Sequence, residues 1–293
     1  MARALEAAAG TIYDIGYRNY EGARLGRGYA FRTLYVHSLR TAFGLGRGGR
    51  ARVVPWVLFG AICFPAAVVT MVAGMTGGMM NNLIDYHDYF PWVSMMVALF
   101  CAAQAPELVS NDQHHKVLPL YFSRALRKHD YALAKLLAMW TAVFILVAAP
   151  LLIILTGRLA LPTDFAQAFR TESKDFAALL GTPAAAALVM GTLSLSLASL
   201  MPRRGMASAL VIGTFLITFP IVAILVEEAE AGYAVLLSPV LTIIGTILAL
   251  FKERPDDLLR EANLPPEAFA YGVAAYAALF TLLLLARYRR IST

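Results

Sequence analysis

The chain has 293 residues, of which 59% are hydrophobic and only 15% are charged, and its mean hydropathy is +0.64. An average soluble domain carries charge on about 25% of its residues, so the composition excludes an ordinary soluble domain and indicates a membrane protein. The net charge of +6 suggests a nucleic-acid partner only if membrane topology leaves it unexplained. Cys63 and Cys101 both lie in apolar runs, which favours packing over a disulfide or a metal site.

Residues 1–52 form a polar arm with nine arginines and three acidic residues, so the arm is predicted to stay on the cytoplasmic side. Apolar side chains recur within it at helical spacing. This predicts an amphipathic helix that lies along the membrane surface, with its arginines toward lipid phosphate. Binding of the same face in the groove of a soluble partner is the alternative. The residues assigned to the apolar face of this interfacial helix are Phe31, Leu34, Tyr35, Leu39 and Phe43.

Six apolar runs are long enough to cross a membrane, because a hydrocarbon core about 30 Å thick needs about 20 apolar residues in a helix. A seventh run, residues 233–251, competes with them. The predicted fold is therefore an all-α polytopic membrane protein with a transmembrane domain over residues 53–286 and a cytoplasmic tail over 287–293. The predicted spans are 53–74, 90–109, 131–156, 181–201, 206–226 and 269–286.

The charges orient these spans. With both termini in the cytoplasm, 19 of the 25 basic residues lie inside and 13 of the 19 acidic residues lie outside. This follows the positive-inside rule and explains the net charge without nucleic acid. A full crossing by residues 233–251 would place the terminal arginines outside. We therefore predict that this run is a pair of short helices on the outer side, either re-entrant or lying on the surface, broken at Ser238 and Pro239. The break is a candidate outer gate, and a packed hairpin cap is the alternative.

The spans contain almost no charge, which disfavours a proton-coupled carrier and an enzyme with an active site in the membrane. The chain lacks the GxxxxGK[ST] phosphate loop, so it is not predicted to hydrolyse ATP or to be an enzyme by itself. Gly44, Gly46 and Gly49 match GxGxxG, but no strand precedes them. The methionines at 71, 75 and 79 follow each other at helical spacing. They are compatible with Cu(I) binding but are more typical of flexible packing, and no metal site is assigned.

A polar segment, residues 107–135, separates the second and third spans. Ser110 and Gln113 have the spacing of a capping box. Pro119 favours the start of a short helix over residues 120–126, and Asp130 is predicted to cap the third span. The segment would present Leu120, Tyr121 and Arg124 to a cytosolic partner.

The pattern D-x(5)-L-P-L-Y-x-S-R-x-L-x(3)-D-Y-x(3)-K, which runs from Asp112 to Lys135, resembles the cytoplasmic loop of ABC-2 type permease subunits of bacterial ATP-binding cassette transporters. The stretch 12–26, the six spans, the Ser-Pro break and the terminal RYRRI are similar to the same family. This family often has Glu where the chain has Asp112, and Gly-Thr where it has His115 and Lys116.

The resemblance implies a permease in the bacterial inner membrane that pairs with a second permease chain, as a homodimer, and with two copies of an ATP-binding subunit. ATP and Mg would be held by that partner, and no cofactor by this chain. The expected function is ATP-driven transport, as export, of a hydrophobic or amphipathic substrate. A membrane anchor that recruits a cytosolic partner and a copper-related permease subunit are the alternatives. The resemblance assigns a coupling helix that docks on the ATPase to Leu118, Leu120, Tyr121, Arg124 and Arg127.

Overall fold

The computed structural model describes residues 25–46, 48–76, 85–123, 126–160, 164–255 and 257–290, together with Gly22 and Pro162. Every regular element in these ranges is helical. Within the described ranges, six helical segments are long and apolar enough to cross a membrane, so the chain is an all-helical multi-pass membrane protein. These segments are Gly49–Met75, Tyr86–His114, Lys128–Ala160, Phe165–Leu200, Arg204–Glu227 and Pro266–Arg289.

The α-helices are numbered in chain order. They are α1 Arg27–Ala42, α2 Gly49–Met75, α3 Tyr86–Leu108, α4 Ser110–His114, α5 Leu118–Phe122, α6 Lys128–Ala160, α7 Phe165–Glu172, α8 Phe176–Ala186, α9 Thr192–Leu200, α10 Arg204–Glu227, α11 Pro239–Phe251, α12 Asp257–Ala262 and α13 Pro266–Arg289. A 3-10 turn, Ser173–Asp175, links α7 to α8, and a π-turn, Ala187–Gly191, links α8 to α9. A second 3-10 segment, Gly232–Leu237, precedes α11.

The core lies between α3, α6 and the α8–α9 helix, whose apolar stretches are at least half buried. By contrast, α2, α10 and α13 are mostly exposed on the periphery. Trp140 of α6 packs so closely on Gly191, in the π-turn, that a Cβ there would contact the indole at 2.9 Å. The best packed helices are therefore at the centre, and the exposed ones offer apolar surface to lipid or to another chain.

The two ends of the bundle differ in charge. At one end, called here the basic end, α1, α4 and α5 meet the end of α3, the start of α6 and the ends of α9 and α13. Arg27, Arg127 and Arg204 belong to this end. At the opposite, acidic end, the start of α3 meets the ends of α6, α7 and α11. This arrangement has the charge asymmetry expected from the sequence.

The segment 232–251 forms a helical hairpin on the acidic half of the bundle. Its 3-10 segment runs inward and α11 returns, because Leu237 lies beside Tyr276 whereas Phe251 stacks on Tyr86 at the acidic end. Tyr276 lies ten residues beyond Pro266, about 15 Å along α13 at 1.5 Å per residue. The break at Ser238 and Pro239 is thus inside the bundle, where both residues are buried.

The fourth long helix begins well before the predicted span 181–201. Asp164 caps it by accepting hydrogen bonds from the amides of Ala166 and Gln167 at 3.0 and 3.1 Å. The sequence-based boundary excluded this part because polar residues interrupt the apolar run.

Candidate functional site

The loop between α3 and α6 folds into α4 and α5, and its polar side chains bond to neighbouring helices. Ser110 Oγ donates to the carbonyl of Ala198 at 2.9 Å, and Gln113 Nε2 donates to the carbonyl of Ser199 at 3.0 Å. The predicted capping box is therefore wrong. The Gln113 amide already donates to the carbonyl of Val109 at 3.2 Å, so it needs no side-chain cap, and both side chains join α4 to the end of α9.

A buried ion pair joins α4 to the start of α6. Lys135 Nζ lies 2.9 Å from Asp112 Oδ2, and the Lys135 side chain is only 4% exposed. Tyr131 Oη donates to the same carboxylate oxygen at 2.7 Å, and Lys135 Nζ lies 5.4 Å from the centre of the Tyr131 ring. Charge-assisted hydrogen bonds are about twice as strong as neutral ones, so α4 is held firmly against α6.

The same group of side chains extends to α13. Gln113 Nε2 lies within hydrogen-bond distance of Tyr288 Oη, at 3.3 Å, and the Tyr131 and Tyr288 rings are 5.1 Å apart. We call Asp112, Gln113, Tyr131, Lys135 and Tyr288 the clamp. It connects one short loop to α6, α9 and α13.

A second ion pair next to the clamp reaches α10. Arg204 Nη1 pairs with Glu107 Oε1, and the Glu107 side chain is 7% exposed. Because Glu107 lies in the last turn of α3, this pair fixes the start of α10 against the helix that leads into α4.

Asp130 ties α1 to the start of α6. Arg27 donates to both carboxylate oxygens of Asp130, from Nε at 2.7 Å and from Nη2 at 2.5 Å. Asp130 also accepts the backbone amide of Arg127 at 3.0 Å. The prediction that Asp130 caps the third span is wrong in position, because α6 begins at Lys128 and Asp130 lies in its first turn, where it accepts the amide of a preceding residue rather than of a following one. The hydrogen bond to Asp130 raises the pKa of Arg27.

The apolar face predicted for α1 contacts the protein itself. Leu34 is buried, and Phe31, Tyr35, Leu39 and Phe43 are half-buried against the core. Tyr35 Oη lies 3.0 Å from Thr141 Oγ1, eleven residues beyond Asp130, so α1 runs alongside the first turns of α6. The location of α1 at the membrane surface stays a prediction.

The candidate docking residues have different exposures. Leu118 is buried at 5%, whereas Leu120 is 68% exposed. Tyr121 is half-buried and Arg127 is exposed, and Arg124 lies outside the described residues. Helix α5 spans Leu118–Phe122 and not residues 120–126. The surface that this element offers is therefore centred on Leu120.

A cavity of about 490 Å³ separates α5 from α1. Its apolar wall includes Tyr29, Leu34, Tyr121 and Leu126. Burial, and then the nearby Asp112 carboxylate, raise the pKa of Tyr121, so this phenol stays protonated and able to donate a hydrogen bond. Tyr121, which lines the cavity, directly follows the exposed Leu120 in the sequence.

At the acidic end, Asp85, His87 and Asp88 place their ligand atoms within 4.8 Å of one another. Arg158 Nη2 already pairs with Asp85 Oδ1 at 3.0 Å. Oxygen and imidazole ligands suit harder ions than Cu(I). Met71 and Met75 belong to α2 and are exposed, and the third methionine of the series, at 79, lies outside the described residues.

No family model matches the chain, and no curated protein matches it. The clamp was missed from the sequence although three of its members, Asp112, Tyr131 and Lys135, stand in the pattern that suggested the permease family. The available signal was the spacing of Tyr131 and Lys135, which places both on one face of a helix.

Proposed function

We propose that the chain is the permease subunit of an ATP-binding cassette transporter of the ABC-2 type, in the bacterial inner membrane. In this proposal two copies of the chain form the pathway for a hydrophobic or amphipathic substrate, which is exported. Two separate ATP-binding subunits hold ATP and Mg and supply the energy. The main support is the clamp, which attaches α4, the helix just before α5, to the membrane-spanning helices, while the rings of Tyr121 and Phe122 in α5 lie against the clamp residue Tyr131.

A coupling element must present an exposed surface and must also be firmly attached to the spans that it moves. Helix α5 meets the first requirement through Leu120, which is 68% exposed. The clamp meets the second, since it joins the loop to α6, α9 and α13, and the Glu107–Arg204 pair joins the last turn of α3, from which the loop starts, to α10. A push on α5 by an ATP-binding subunit would therefore reach four helices.

The exposed apolar surfaces of α2, α10 and α13 support the second permease chain. These three helices bury only about a fifth of their apolar stretches, against half or more in α3, α6 and α8–α9. In a dimer, part of this surface would contact the other copy and the rest would contact lipid. The hairpin of residues 232–251 would serve as the outer re-entrant element, with the break at Ser238 and Pro239 as its gate.

The test uses the full chain purified with a candidate ATP-binding cassette subunit, which is sought first among the proteins encoded beside the chain. We expect Leu120→Asp to weaken complex formation by about tenfold, because it places a charge in an apolar contact. The matched control is Leu120→Met, which keeps the apolar surface and should bind normally. Equal binding by both variants would refute docking through α5.

Reconstitution in liposomes separates transport from anchoring. A permease should make the ATPase rate of the complex respond to transported compounds. A complex that forms normally but never responds to any hydrophobic or amphipathic compound would favour the anchor.

A further inference from the structure

An apolar groove runs along α13 on the acidic half of the bundle. It has a volume of about 560 Å³ and lies between α13 and the 3-10 segment of the hairpin. Small-molecule sites range from about 300 to 1,000 Å³ and are mostly apolar, so the groove has the size and character of a ligand site. Its lining includes Tyr233, Leu236, Tyr271, Ala275, Tyr276 and Phe280.

A second cavity, also about 560 Å³, adjoins the groove, since Tyr233 lines both. Three carboxylates line it, those of Glu227, Glu230 and Glu261. None of the three forms an ion pair with another described residue. Residues 227–267 carry eight acidic and three basic side chains, so the surroundings of this cavity are negative as well.

The apolar groove lies deeper in the bundle and the acidic cavity lies at its end, which matches the change from apolar core to polar surface in a bilayer. The groove extends to Tyr276 and Phe280, about 15 to 21 Å along α13 from its first residue. The carboxylates lie at the acidic end on segments that precede α13: Glu227 ends α10, Glu230 follows it, and Glu261 is in α12. Tyr233 and Tyr271 are both largely exposed near the junction, and tyrosines commonly lie at the boundary between lipid and water.

We propose that the joined cavities bind a lipophilic cation, with its apolar body in the groove and its charge toward Glu227, Glu230 and Glu261. The aromatic ring of Tyr233 lies where body and charge meet, and aromatic faces attract cations. The groove alone fits any apolar ligand, whereas the three carboxylates favour a cation and repel an anion. The site's role as the outer exit of a transport path rests on the proposed permease function, but the binding does not.

Tetraphenylphosphonium and tetraphenylborate provide a direct test, because they share one shape and carry opposite charges. Binding of each radiolabelled ion to the full chain in nanodiscs is measured without ATP or a partner subunit, after subtracting uptake by empty nanodiscs. We expect saturable binding of the phosphonium and none of the borate. The triple variant Glu227→Gln, Glu230→Gln, Glu261→Gln should weaken phosphonium binding about tenfold. Its control is Glu267→Gln, an exposed acid that lines neither cavity.

A groove-filling pair of variants tests the apolar half. Ala275 lines the groove and is exposed, whereas its exposed neighbour Ala274 does not line it. Ala275→Trp should weaken phosphonium binding at least as much as the triple variant, about tenfold, and Ala274→Trp should leave it unchanged.

Several results would overturn the proposal. These are equal binding of the two ions, binding insensitive to the triple variant, or binding equally affected by both tryptophan variants. The binding assay contains no ATP-binding subunit, so its outcome is independent of the permease proposal. If the parent chain does not bind the phosphonium but couples ATP hydrolysis when the ATP-binding subunits are added in a separate assay, the site is refuted and the permease is left standing. Phosphonium binding by a chain that couples to no ATPase would support the site and count against the permease.

Discussion

Replacing Asp112 by Asn should destabilise the chain strongly, because it removes the charge that compensates buried Lys135. The two charged atoms are 2.9 Å apart and the lysine side chain is 4% exposed. Asn keeps the shape of Asp112 and still accepts the hydrogen bond from Tyr131, so the change acts mainly on charge.

The expected size follows from the geometry. At an effective dielectric constant of about 20, two unit charges at this separation attract by about 6 kcal/mol, and most of that attraction is offset by the loss of hydration. Removing one partner of a buried pair costs about 3–5 kcal/mol. Lys135 has a further interaction besides those with Asp112 and Tyr131, so we expect the lower end, about 3 kcal/mol. At about 2–4 °C per kcal/mol, Tm should fall by about 6–12 °C.

Cys101 provides the assay, because its side chain is fully buried and reacts with a thiol-specific fluorescent dye only on unfolding. Melting curves are recorded in detergent on a Cys63→Ala background for the parent, Asp112→Asn, Lys135→Met and the double variant. If the two charges are coupled, Asp112→Asn should lower the free energy of unfolding by about 1 kcal/mol or less in a chain that already carries Lys135→Met. An unchanged cost in that background would refute the pairing.

Three other changes probe the rest of the structure. Arg27→Ala should loosen the start of α1 against α6, because it removes both hydrogen bonds to Asp130, and amide hydrogen exchange in the first turns of α1 should rise. Gly245→Ala should lower stability by about 1–3 kcal/mol, because a Cβ there overlaps the Phe269 ring, and melting curves measure the loss. Ser110→Ala should cost about 1 kcal/mol in the same assay, because it removes a buried hydrogen bond to the carbonyl of Ala198, which then keeps only the amide of Met201 as a donor.

Each of these variants has a matched control. Arg32→Ala removes an exposed arginine from the same helix and should not change exchange. Gly213→Ala adds a methyl group where no atom lies within 4 Å and should not lower Tm. Ser94→Ala removes a hydroxyl that bonds only within its own helix, to the carbonyl of Pro91, and should cost less than Ser110→Ala. A variant that behaves like its control would contradict the contact that it tests.

The spans were predictable because their signal is local. A run of about 20 apolar residues is sufficient to identify a spanning helix, and the six predicted runs correspond to six described helices. The first part of the fourth helix was missed, because the polar residues between Asp164 and Asp175 mask a helix that starts from a cap.

The contacts of the candidate site were beyond sequence reasoning because they join distant residues. Arg27 and Asp130 are 103 positions apart, and Gln113 and Tyr288 are 175 positions apart, so no periodicity links them. The capping box failed for a related reason. Ser110 and Gln113 have the correct spacing, but α4 follows α3 so closely that its first amides already have backbone partners.

The ion pairs at the two ends of α6 set the thickness of membrane that the protein fits. Lys135 pairs with Asp112 at the basic end and Arg158 pairs with Asp85 at the acidic end. The 23 residues between these two positions rise about 35 Å, slightly more than the hydrocarbon thickness of about 30 Å of a typical bilayer. Both pairs also hold the α3–α4 segment, so this segment and α6 cannot slide past each other to shorten the span. In a thinner bilayer, either the lipid around the protein must thicken locally or the helices must tilt together.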